Sequence, residues 1–115
     1  MQSQNGNQLF IAGSGPACLR TAFGTCRGAL LSVRSHGVDT LSVLSFTVER
    51  RGTGCQIAIS GSNTVFFGAK TNKTTWTSVC TQTRTLAAGI VVAGCSKGDY
   101  LLSRPGAAQV ANNRF

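Results

Sequence analysis

No stretch of this chain repeats apolar residues at helical spacing for long enough to make an amphipathic helix. Strong helix formers are scarce: one Glu, three Lys and one Met stand in 115 residues, against an abundance of Thr, Ser, Val and Gly. Short strand-like runs recur instead, each closed by turn residues. They lie at 9–12, 29–34, 40–50, 55–60, 64–69, 75–80, 90–95 and 100–103. This spacing predicts an all-β fold, a single-domain antiparallel β-sandwich or jelly roll of about eight short strands. The domain spans 1–115, with 1–8 and 106–115 as polar terminal segments. With 42% hydrophobic residues there is enough apolar material for a core, which argues against disorder.

The most regular run is 40–50, where both alternating sets carry apolar residues and burial on both faces is expected. Arg51-Gly52-Thr53-Gly54 then reads as a turn into Cys55-Gln56-Ile57-Ala58-Ile59-Ser60, an antiparallel hairpin. Gly61-Ser62-Asn63 reads as a further turn and 70–75 as a polar, basic loop. Adjacent Phe66 and Phe67 point to opposite faces of their strand, so one is expected in the core. Residues 13–28 hold four glycines and a proline and read as a long loop.

Eleven Lys and Arg face three Asp and Glu, giving a net charge of +8. A field of that sign attracts polyanions, nucleic acid among them, and Arg50, Arg51, Arg84 and Arg34 are candidate contacts. The charge is dispersed, without a basic tail or stripe. Five cysteines, at 18, 26, 55, 80 and 95, form no C-x-x-C pair, and the single His36 completes no zinc finger, so no metal is expected. Either the thiols are reduced and buried, or four of them make two disulfides in an oxidising compartment. Cys18–Cys26 is the preferred bridge, closing a local loop. The N-terminal residues 1–8 carry no Lys or Arg, so no signal peptide is expected: the chain reads as intracellular, or as a mature form with an added Met. Its apolar runs fall far below the roughly 20 residues of a membrane span.

The carboxylates are too few and too scattered to seat catalysis. Asp39 and Glu49 fall at opposite ends of one predicted strand, roughly 33 Å apart when extended. No nucleophile motif surrounds His36, and Gly13-Ser14-Gly15-Pro16 lacks the Gly-Lys-Ser/Thr continuation of a phosphate loop. No enzyme activity and no cofactor are expected. Trp76 follows a loop holding Lys70, Asn72 and Lys73, where an aromatic ring can stack on a sugar or a base; the alternative is a Trp at the centre of the core.

The second half carries a recognisable succession: Ser45-Phe46-Thr47-Val48, Gly54-Cys55-Gln56-Ile57-Ala58-Ile59, Thr75-Trp76-Thr77-Ser78-Val79, Thr85 to Val92, and Gly98-Asp99-Tyr100-Leu101-Leu102. Residues 44–103 resemble jelly-roll carbohydrate-binding modules of the galactose-binding-like type. The resemblance implies a jelly roll, a glycan ligand, Trp76 as the stacking residue and Tyr100 as its companion. The leading expectation is a non-enzymatic, secreted or extracellular module for a polysaccharide or glycan, with Trp76, Tyr100, Asn72, Lys73 and Lys70 at the ligand. The alternatives are a small basic structural or assembly protein, of virion-coat or surface-layer type and homo-oligomeric, whose positive face contacts nucleic acid, or a basic secreted effector or toxin.

Overall fold

In the computed structural model, which describes residues 7–110, eight strands and one helix run in the order β1 Asn7–Phe10, α1 Gly15–Thr25, β2 Ala29–His36, β3 Thr40–Arg51, β4 Gly54–Phe67, β5 Lys70–Cys80, β6 Gln82–Leu86, β7 Gly89–Ala93 and β8 Tyr100–Ser103. They build two four-stranded sheets, β2-β3-β4-β5 and β1-β8-β7-β6. All neighbours are antiparallel except β1, which runs parallel to β8. The fold is the expected all-β sandwich of about eight strands. Its sheets are consecutive meanders, with β1 added at one edge.

Strand length decides the shape. At about 3.3 Å per residue, the 14 residues of β4 run roughly 46 Å. That matches the 47 Å long dimension of the molecule. The β7 and β8 strands have 5 and 4 residues, so the second sheet covers only part of the first. Several sequence expectations change accordingly. Gly61-Ser62-Asn63 is not a turn but the middle of β4, paired with β3 and β5 on both sides. The segment 70–75 is not a loop but the first half of β5. Two Gly-X turns close these hairpins, with Gly52 at φ 60° and Gly68 at φ 58°, the first central residue of a type II′ turn in each case.

The segment 13–28 is not a long loop. Most of it is α1, which has proline in its first turn and ends at Cys26, whose left-handed φ of 55° turns the chain so that the Arg27 N–H reaches back to Ala22 O at 2.9 Å. Pro16, Leu19 and Ala22 form its buried face. The expected Cys18–Cys26 bridge is thereby excluded, because eight residues of helix separate the two by about 12 Å and a disulfide needs Cα atoms within about 7 Å. The bridges are Cys26–Cys55 and Cys80–Cys95, and Cys18 is exposed and free. Both bridges lie at the β3–β4 turn end of the first sheet, since Cys55 opens β4 and Cys80 pairs with Ile57.

Alternation puts Phe46, Val48, Ile57, Ile59 and Cys80 on the inner face of the first sheet. They pack on Val92, Tyr100 and Leu102 of the second sheet and on Leu19 and Ala22 of the helix. Each large side chain fully buried here contributes about 1.5–3 kcal/mol. On the opposite alternating set of β3, Leu41, Val43, Ser45 and Thr47 are half-buried rather than enclosed, so burial is one-sided. A second cluster, Val91, Ala93 and Leu101, lies on the outer face of the second sheet. The segment after β8 returns over it: Val110 packs on that cluster and its N–H donates to Gln8 Oε1 at 2.8 Å. Of the terminal segments expected to be polar, 1–6 and 111–115 lie outside the described residues.

Candidate functional site

The long first sheet overhangs the short second one, and a cleft of about 400 Å³ opens between its inner face and β1. Each strand of the long sheet contributes to the floor: Val33 and Ser35 from β2, Ser42 and Leu44 from β3, Asn63 from β4, Trp76 from β5. Asn7 and Tyr100 close the far side. Aliphatic side chains lie toward the core, and amides and hydroxyls lie farther along the same strands. Among the described residues the lining carries no charged side chain.

Trp76 is half-buried, not a wholly enclosed core residue. It pairs across the sheet with Gly61, and a Cβ on Gly61 would collide with the indole Cε2. Glycine therefore lets the ring lie flat on the β4 backbone. The Trp76 and Tyr100 rings are parallel within 6°, with centroids 6.4 Å apart. Parallel rings at that distance are offset rather than overlaid, so part of the indole face is left to the cleft. Tyr100 is itself held edge-on by Phe46, at 5.6 Å and 85°. Burial pushes the Tyr100 hydroxyl above its ordinary pKa of 10.0, and the Asn7 side-chain hydrogen bond works against that shift. Ser42 Oγ donates to Asn63 Oδ1 at 3.0 Å, which orients the amide and leaves its two N–H donors for another acceptor.

The structure brings together two of the five ligand-contact residues expected from the sequence, Trp76 and Tyr100. Asn72 and Lys70 share the Trp76 face of β5 but stand about 13 and 20 Å farther along it, outside the cleft lining. Lys73 belongs to the opposite alternating set. Asn7, Ser35, Ser42 and Asn63 were not anticipated. The last two sit opposite each other in the β3–β4 register, which becomes visible only once β4 is read as continuous.

The four arginines offered as polyanion contacts do not converge. Arg34 lies on the outer face of the first sheet and Arg84 on the outer face of the second, while Arg50 and Arg51 stand at the β3–β4 turn. Two of the acids are tied into local structure. Glu49 Oε1 accepts from Gln56 Nε2, and Asp99 Oδ1 accepts the Cys95 N–H at 3.2 Å. Among the described residues no group of three or more His, Cys, Asp or Glu is placed to hold a metal ion. Nor is any helix long and apolar enough to cross a membrane. No protein-family model, no curated protein and no solved structure matches the chain.

Proposed function

We propose that the protein is a non-enzymatic, secreted binding module whose cleft takes an uncharged glycan. One observation carries the reading: in a chain of net charge +8, the cleft that exposes an aromatic face is lined, among the described residues, without a single charged side chain. An anionic ligand would gain little there from the protein's cations. A sugar offers what the lining complements, an apolar C–H face for the Trp76 ring and hydroxyls for amide and hydroxyl partners. Asn63 N–H groups donate to sugar oxygens, and Ser35 and Asn7 exchange hydrogen bonds with sugar hydroxyls. The two disulfides suit an oxidising, extracellular setting and pin the end of the sandwich away from the cleft. The competing reading, a basic assembly protein, asks for cations gathered on one face, and the candidate arginines are divided between the two outer faces and the β3–β4 turn.

Trp76 is the chain's one tryptophan, so its emission reports directly on the cleft. Titration with a panel of neutral oligosaccharides is expected to shift that emission saturably, and Asn63→Ala to weaken the response about tenfold, the loss of one or two hydrogen bonds. A panel that leaves the emission unchanged, while a polyanion moves it, contradicts the proposal.

A further inference from the structure

The end of the molecule remote from the disulfides is built from two neighbouring turns, Gly37-Val38-Asp39 between β2 and β3 and Gly68-Ala69 between β4 and β5. Phe66 N–H donates to Asp39 O at 2.8 Å and ties the two turns together. Both phenylalanines that close β4 are exposed here, Phe66 at 42% and Phe67 at 65%, and Val38 is 100% exposed. The expectation that one of the pair enters the core therefore fails, because β4 has run past the edge of the second sheet and, among the described residues, no layer remains to receive it. Single exposed apolar residues are ordinary. Val38 on one turn, with Phe66 and Phe67 on the two faces of the strand end that enters the other, puts three exposed apolar side chains at one tip, and such a cluster calls for a partner.

The charges beside the patch name its chemistry. Lys70 is the cross-strand partner of Phe67, and Lys73 pairs with Thr64 two residues short of Phe66, whereas Arg34 lies two strands away on β2, level with Ser62. Against these cations the acid at this end is Asp39. We propose that this end docks on an anionic lipid bilayer, with Val38, Phe66 and Phe67 entering the interface and Lys70 and Lys73 meeting the headgroups. Aromatic tips under a collar of cations are what an anionic membrane surface accommodates. A second copy of the chain suits the patch poorly, since it would set the same cations, on a molecule of net +8, against one another. The inference is independent of what the cleft binds.

The test is co-sedimentation of the full chain with vesicles of phosphatidylcholine alone and of phosphatidylcholine mixed with phosphatidylglycerol, at low and high salt. The expected result is binding to the anionic vesicles only, weakened by salt. Phe66→Ser with Phe67→Ser is expected to lower the partition coefficient about tenfold or more, and Lys70→Gln with Lys73→Gln to lower it comparably. Unchanged Trp76 emission and melting temperature mark the variants as folded, and Val38→Ser, at a fully exposed turn position, serves where the double phenylalanine variant fails to fold. No binding to anionic vesicles overturns the proposal. So does binding indifferent to the apolar substitutions, which marks a purely ionic surface effect. So does a concentration-dependent dimer in light scattering that the phenylalanine substitutions abolish, which assigns the patch to a second copy.

Discussion

Trp76 draws its position from a residue it does not touch in sequence. The indole rests where Gly61 has no side chain, and Tyr100, braced edge-on by Phe46, lies parallel to it. Such a stack keeps the ring in one orientation, so a ligand that packs on it meets a surface already arranged. Tyr100 is the chain's only tyrosine, which makes its ionisation directly readable. Its pKa is raised in the folded protein, so its neutral form is the one folding favours. The associated stability is fully present below the unfolded value near 10 and is lost as pH rises through the folded value. Tyrosinate absorbance in the native protein is therefore expected to titrate with a midpoint above 10.0, falling back to the ordinary value in denaturant. A native midpoint at or below 10.0 contradicts the burial described. At this scale the sequence singles out Trp76 and Tyr100 as aromatic candidates. The amides were out of reach because Asn63 sits in Gly61-Ser62-Asn63, a run with the composition of a turn. Pairing with both β3 and β5 overrides that local preference.

Among the elements, strand positions followed from period-two patterning and the helix did not. Its apolar face is present in the sequence, as Pro16, Leu19, Ala22 and Phe23 at helical spacing, with proline in the first turn. Two glycines in eleven residues outweighed it on propensity. Burial of Leu19 and Ala22 against the sheet, with the Cys26–Cys55 bridge just beyond the last turn, supplies what propensity lacks. Cysteine pairing is illegible in the sequence for the same reason, since Cys18 and Cys26, close in sequence, are held far apart by a helix. The bridges span 29 and 15 residues, and chain entropy assigns each about 3–4 kcal/mol. Cys26→Ser with Cys55→Ser is expected to lower the urea-unfolding free energy by about that amount and to leave the cleft residues in place. Thiol titration of the native wild-type protein is expected to find one reactive group, Cys18. A variant as stable as wild type, or a native protein with three reactive thiols, contradicts the pairing.

As a whole the molecule has a fastened end and an open one. Disulfides and helix hold the sheets together at the β3–β4 turn, and the mismatch between a 14-residue strand and partners of 4 and 5 residues leaves the other half of the long sheet uncovered by the described strands. The cleft lies where cover stops, and the apolar turns lie beyond it. Nothing in the composition announces this asymmetry, because strand number is legible from turn spacing while strand length depends on which turns the pairing overrides. The net charge, prominent in the sequence, is spread over both outer faces and the turns, and the cleft is without it. The central claim is therefore that recognition is aromatic and uncharged. Calorimetric titration of a neutral oligosaccharide from the binding panel, at low and high salt, against wild type and Trp76→Ala, tests it most directly. The account predicts an affinity that does not change with salt and falls at least about tenfold in Trp76→Ala, the scale of one lost stacking contact. Binding that takes only anionic ligands, collapses as salt rises and survives the loss of Trp76 would contradict it.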